Sequence, residues 1–277
     1  SRRDGGPPLK RVVVKVGGAV LEEPASRARF AASVRAAVDA GLAPLVVHGG
    51  GVQLTRLAAS LGLETDRVDG LRVTSPAMVR AALQALAGEV NGELVAALSG
   101  AGVRALGVTG ADAGLMQASV LDPALGLVGE ASNVAATVLD DLIGAGFVPV
   151  VATLAPSPEG FLNVNADAAV APLARAADAS AALFLSDVAH VLGESGEPLD
   201  ALGPARAEAL RANGTSAGGM VPKVAAALSA AQGLGPGATV RMGRGDEPNA
   251  VLALLAGGGT TFHAEPAAGL VPGEVTT

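Results

Sequence analysis

Apolar residues along the chain follow two alternating patterns: short unbroken runs of Val, Leu and Ala, and longer stretches where apolar positions recur every three or four residues. The first suits strands buried on both faces, the second amphipathic helices. Residues 11–16 form the first such run, which carries Lys15 and ends at Gly17-Gly18. Residues 24–40 have helical spacing at Phe30, Val34, Ala37 and Val38 and stop at Gly41, a usual helix exit. A buried strand over 44–48 then runs through Gly49-Gly50-Gly51 straight into a helix over 52–61. A strand, a glycine run and a helix in that order present backbone N–H groups to an anion.

Residues 67–73 read as a hairpin turning at Asp69-Gly70. Ser75 as N-cap and Pro76 at the first helical position open a helix that extends over 77–98, the longest of the chain and a candidate packing or dimer surface. A strand over 104–109, a hairpin over 116–131, a helix over 134–143 and a strand over 147–153 follow. Asn163-Val-Asn165-Ala-Asp167 precedes an alanine-rich helix to 177; Asn165 reads as a cap, yet two Asn and one Asp exceed what a cap needs. A strand over 181–185 ends in Ser186-Asp187, and 193–214 read as a loop with a short helix. Gly218-Gly219 lead into a helix to 231, before a strand over 238–242, a helix over 249–255 and a strand over 260–262. Strands alternating with helices predict an α/β fold with a mainly parallel sheet, whose ligands collect at the C-terminal edge of the strands.

Composition narrows the chemistry. The 277 residues are 50% hydrophobic, enough for one large α/β domain or two modest lobes. With five Phe, no Trp or Tyr and a net charge of -7, the chain lacks stacking platforms and a basic face, so nucleic acid is a poor partner. No cysteine is present, which removes disulfides, thiolate metal sites and cysteine nucleophiles. The apolar runs are too short or too interrupted by charge for a membrane span or signal sequence, so a cytoplasmic protein is expected.

Lysine is rare: of 19 basic residues only Lys10, Lys15 and Lys223 are lysines, and the last two stand beside glycine pairs. A chain that otherwise uses arginine keeps lysine where a compact ammonium does what a planar guanidinium cannot. No Walker-type phosphate loop occurs, and the glycines of 233–238 follow a helix rather than a strand, the reverse of a dinucleotide-binding turn. His48, His190 and His263 are too scattered for a zinc site, and His48 reads as a buried neutral histidine; no protein metal ligands are expected. Glycine-rich strand ends, two lysines, an arginine on a hairpin and an Asn/Asp cluster suit phosphoryl transfer from ATP, whose catalysis is mostly positioning and charge neutralisation. An acceptor carboxylate is already ionised at neutral pH, so no general base is needed.

In this order and at these intervals, Lys15-Val-Gly-Gly18, Val47-His-Gly-Gly-Gly51, Gly70-Leu-Arg72-Val-Thr74, Asn163-Val-Asn-Ala-Asp167, Leu185-Ser-Asp187 and Gly218-Gly-Met-Val-Pro-Lys223 resemble the acetylglutamate kinases of the amino-acid kinase family. The resemblance covers residues 11–262 and implies a three-layer αβα sandwich that phosphorylates the side-chain carboxylate of N-acetyl-L-glutamate with ATP and Mg2+, in arginine biosynthesis. It implies an acetylglutamate-binding and dimerisation lobe over 11–178 and a nucleotide-binding lobe over 179–262, between an N-terminal segment 1–10 and a tail 263–277.

By the same resemblance, Lys15 and Lys223 flank the transferring phosphoryl group and Asp167 holds both lysines. Gly50, Gly51, Arg72 and Asn163 bind acetylglutamate, with Arg72 on its α-carboxylate. Gly17 and Gly18 contact the phosphates, while Asp187, Leu192, Ser216, Gly218 and Gly219 form the nucleotide pocket. The chain departs from the family pattern at Gly92, where relatives carry lysine and where glycine is expected to weaken the long helix, and at Val188-Ala189-His190. Arginine-inhibited members resemble one another in an N-terminal helix; Gly5-Gly6-Pro7-Pro8 cannot be helical, so a homodimer without arginine feedback is expected. Two other readings stay open: a kinase of carrier-protein-linked aminoadipate or glutamate in lysine biosynthesis, and a non-catalytic amino-acid or nucleotide sensor.

Overall fold

The computed structural model describes residues 10–235, 237–247 and 249–264. The expectations for segment 1–10, apart from Lys10, and for the tail beyond 264 lie outside the described residues, as does the bearing of the N-terminus on assembly. The strands are β1 (Lys10–Val16), β2 (Leu42–His48), β3 (Arg67–Val68), β4 (Leu71–Arg72), β5 (Ala105–Thr109), β6 (Met116–Val120), β7 (Val128–Val134) and β8 (Val148–Ala152). They continue with β9 (Leu154–Ser157), β10 (Gly160–Val164), β11 (Ala181–Ser186), β12 (Ala201–Leu202), β13 (Thr239–Arg244) and β14 (Thr260–Phe262). The helices are α1 (Ala19–Glu22), α2 (Pro24–Asp39), α3 (Gly51–Ser60), α4 (Pro76–Ala82), α5 (Asn91–Gly100), α6 (Ala136–Gly144), α7 (Val170–Ala176), α8 (Pro204–Ala212), α9 (Met220–Leu234) and α10 (Ala250–Leu255).

One eight-stranded sheet, ordered β12-β14-β13-β11-β1-β2-β8-β5, runs through the molecule, parallel except where β14 meets β13. β1 lies inside it between β11 and β2, which explains its nearly unbroken valines: a central parallel strand is covered on both faces. Val12, Val14 and Val16 point into the core under α2, α5 and α10, and Val13 into the core under α7 and α9. The result is three layers, helices on either side of the sheet. Because side chains alternate along a strand, Lys15 shares the face of Val13 and reaches the sheet's C-terminal edge almost fully buried. A second, four-stranded sheet, β6-β7-β10-β9, and the β3-β4 hairpin lie outside the main one. No helix among the described residues is long and apolar enough to cross a membrane.

Three features depart from expectation. The long helix runs from Pro76 to Gly100, and Gly92 does not interrupt it, but between α4 and α5 residues Leu83–Val90 form π-helical turns. The helix assigned to 134–143 starts later, because Val134 still belongs to β7 and α6 opens at Ala136. The β9-β10 hairpin, antiparallel around residues 158–159, falls in a stretch where no strand was expected; Pro156 and its shortness hide β9.

Candidate active site

The C-terminal ends of β1 and β2, the starts of α3 and α9, the β3-β4 hairpin and the end of β10 enclose a cleft of about 670 Å³. Lys15, Asp167 and Lys223 all line it, as do Gly17, Gly18, Gly50, Gly51, Arg72, Asn163 and Gly219. Parallel β1 and β2 deliver their C-terminal ends to one edge, and the hairpin, the second sheet and α9 bring Arg72, Asn163, Asp167 and Lys223 over that edge.

Lys15 Nζ lies 2.6 Å from Asp167 Oδ1, and both side chains are largely buried. The approach is off the axis of a straight hydrogen bond, so the pair is held by charge and leaves Asp167 Oδ1 without an aligned donor. Gly17 makes room for the ammonium: a Cβ there would come within 2.9 Å of Nζ. Gly18, at φ 50, is the left-handed turn that ends β1 and starts α1.

Lys223, in the first turn of α9, is not held by Asp167. Its Nζ lies 3.5 Å from Ser186 Oγ and 4.0 Å from Asp187 Oδ1, so the acid nearest to it stands at the end of β11, next to β1 in the sheet. Asp167 follows β10 instead and meets only Lys15. The Ser186 hydroxyl, 2.8 Å away, holds the Asp187 carboxyl below its ordinary pKa against the opposing effect of burial, with smaller help from the charges of Lys223 and Arg244.

On the opposite wall, Arg72 is 6% exposed. Its Nη2 donates to the Gly51 carbonyl at 3.1 Å and to Thr55 Oγ1 at 2.7 Å, while Nη1 is buried with no partner. Burial, and then the charge of Arg67 opposite it in the hairpin, push its pKa down. A buried guanidinium with an unused donor and a second cation beside it calls for an anion. Asn163 Nδ2 is 3.4 Å from Thr74 Oγ1, whose hydroxyl donates to the Arg72 carbonyl at 2.8 Å. Asn165 is a cap, its Oδ1 accepting from the N–H groups of Asp167 at 2.8 Å and Ala168 at 3.2 Å.

The remaining expected nucleotide residues do not line the cleft. Leu192 is 53% exposed on a loop, Ser216 is buried where its N–H reaches the Leu210 carbonyl, and Gly218 is the left-handed residue before α9. Thr55 is not singled out from sequence, and Ser186 enters there only as a member of the Leu185-Ser-Asp187 motif, without a role; Thr55 lies four residues after Gly51 on α3, one helical turn on, and that spacing is the readable signal. The hairpin also touches the opposite wall: a Cβ on Gly70 would stand 3.2 Å from Pro222 Cγ.

Known proteins resemble this chain in sequence and fold. A profile of the amino acid kinase family matches residues 10–241. The acetylglutamate kinase of Rubrobacter xylanophilus is 42% identical over 261 residues, covering 94% of this chain and 99% of that one. The acetylglutamate kinase of Sulfurimonas denitrificans is 40% identical over 229 residues, 81% of each. Among solved structures, smu.665 from Streptococcus mutans superimposes with a TM-score of 0.81 at 26% identity, covering 92% of this chain and 99% of that one. Carbamate kinase from Giardia lamblia bound to AMP-PNP, at 16% identity and a TM-score of 0.70 over 93% of this chain and 99% of its own, shares the fold. The chain belongs to the amino acid kinase family and, within it, to the acetylglutamate kinases.

Proposed function

We propose that the chain transfers the γ-phosphoryl group of ATP to the side-chain carboxylate of N-acetyl-L-glutamate, forming N-acetyl-L-glutamyl 5-phosphate and ADP in arginine biosynthesis. The observation that carries the reading is the unpartnered Arg72 Nη1, buried in the same cleft as Lys15 and Lys223. It supports a substrate with one carboxylate to anchor and another to react. Arg72 pairs the α-carboxylate through Nη1, Asn163 bonds the acceptor beside it, and the Gly50 and Gly51 N–H groups face its reacting end.

The carboxylate oxygen attacks the γ-phosphorus as the bond to the bridging oxygen of ADP breaks. The acceptor is already an anion, so no proton moves. Lys15 and Lys223 screen the repulsion between carboxylate and phosphate and stabilise the charge gathering on the transferring oxygens. Asp167 positions Lys15, and Asp187 with Ser186 positions Lys223. Gly17, Gly18 and Gly219 fit a phosphate chain that must approach the backbone closely. Mg2+ would be brought with the phosphates of ATP and would supply neutralisation of the charge that Lys15 and Lys223 leave on them. We further propose a cytoplasmic homodimer packed along the Pro76–Gly100 helix; a solution mass of a hexamer would overturn the assembly.

The test is ATP turnover with free N-acetyl-L-glutamate, trapping the acyl phosphate as hydroxamate, for the wild type and Lys223→Ala. Hydroxamate from the first and a loss of at least about a hundredfold in the second is the expected result. No product with free acetylglutamate would redirect the acceptor to a carrier-bound substrate.

A further inference from the structure

Behind the glycine turn lies a buried polar pair that phosphoryl transfer does not use. His48, the last residue of β2, is fully buried, and Asn91, the first of α5, is 6% exposed. Asn91 Nδ2 lies 2.9 Å from the Val150 carbonyl and 2.9 Å from His48 Nε2. His48 Nδ1 lies 2.8 Å from the Gly49 carbonyl. A carbonyl only accepts, so the contact with Val150 fixes the amide nitrogen of Asn91 as donor. Its second hydrogen then goes to Nε2, which must be unprotonated, and the ring proton sits on Nδ1 and is donated to Gly49. One tautomer satisfies all three contacts.

This has a consequence for the turn. In a trans peptide the C=O and N–H point in opposite directions. Drawing the Gly49 carbonyl back toward the imidazole therefore turns the Gly50 N–H the other way, in a turn whose three glycines all line the cleft. Gly50 is hemmed in as well, since a Cβ there would fall 2.6 Å from Leu86 Cδ2 and 3.0 Å from Val90 Cγ2, both in the π-helical turns that lead into Asn91. On β5, Gly107 leaves the space that the Asn91 amide occupies; a Cβ there would overlap it.

We propose that His48 and Asn91 are positioning residues that fix the peptide plane between Gly49 and Gly50, so that its N–H faces the acceptor carboxylate. The proposal rests on reading this turn as the acceptor's site. His48→Asn and His48→Gln separate the two ring nitrogens: Asn can replace Nδ1 toward Gly49, whereas Gln replaces only Nε2 toward Asn91. Asn91→Leu removes the group that sets the tautomer, and Gly107→Ala displaces it while both residues keep their identity.

The expected result is a KM for N-acetyl-L-glutamate raised about tenfold or more in His48→Gln, Asn91→Leu and Gly107→Ala, with His48→Asn within about threefold of wild type and the KM for ATP unchanged throughout. Backbone amide exchange in a peptide containing residues 49–51 should quicken in the same three variants and not in His48→Asn. A purely structural role would lower the melting temperature without this split. Equal effects of His48→Asn and His48→Gln, or variants that fold and keep the acceptor KM within about twofold, would overturn the proposal. Should the wild type give no hydroxamate from free acetylglutamate, the functional reading fails by itself. The exchange pattern then decides: quickening confined to the three variants upholds the pair, and uniform exchange rejects it.

Discussion

A methyl group on Gly17 would stand 2.9 Å from the ammonium of Lys15. The glycine is not in a left-handed conformation, so alanine fits the backbone there, and the strained partner is a side-chain end that can swing aside. Gly17→Ala should therefore still fold, with a melting temperature lowered no further than in Lys15→Met, while moving Nζ away from Asp167. A kcat lower by about tenfold or more, with ATP still binding, is the expected outcome of misplacing a preorganised charge; unchanged turnover would show that Lys15 has other room to act.

The two lysines should separate in their effects on stability. Removing Lys15 leaves the largely buried Asp167 unpaired, which costs about 3 kcal/mol or more, whereas Lys223 is partly exposed and lies 4.0 Å from its nearest acid. Lys15→Met should lower both activity and the urea midpoint, and Lys223→Met activity alone. Equal midpoints would mean that Asp167 finds another partner.

Arg72 donates to Gly51 and Thr55 and leaves Nη1 free, an arrangement that a lysine cannot reproduce. Arg72→Lys should raise the KM for acetylglutamate about tenfold to a hundredfold and leave that for ATP near its original value. Thr55→Val, which removes one support of the guanidinium, should raise it by a smaller factor. A parallel rise in both KM values would place Arg72 outside the acceptor's site.

Acid should destabilise the protein through His48. Burial lowers its pKa from 6.5 to about 4, so between these values the unfolded chain binds a proton that the native one refuses. The stabilisation is complete above pH 6.5 and is lost as pH falls toward 4, a change of roughly 3 kcal/mol for this one group. Urea midpoints measured across that range should show a slope that His48→Asn flattens. The same slope in the variant would trace it to carboxylates instead.

Much of the site could be read from the sequence because its parts lie at ends of elements, where glycine, lysine and asparagine stand out against Val, Leu and Ala. Lys15, Gly50, Gly51, Arg72, Asn163 and Lys223 were found in this way, and they share one cleft. The partner of Lys223 was not legible: that β11 lies beside β1, and delivers Asp187 to the start of α9, is decided by strand order. The π-helical turns of Leu83–Val90 were hidden for another reason. Apolar residues continue through them at nearly helical spacing, and the shift from one hydrogen-bond pattern to another leaves no mark on composition.

Those turns also make chain length itself informative. A π-helical turn takes up one residue more than an α-helical turn, so Leu83–Val90 already hold the extra residue that an ordinary helix would answer with a rotation of about 100°. Inserting a further residue there would swing Asn91 by that angle away from His48 while leaving every side chain of the cleft in the sequence. It would spoil the glycine turn through phase alone, as a clockwork mis-set by one tooth keeps all its wheels.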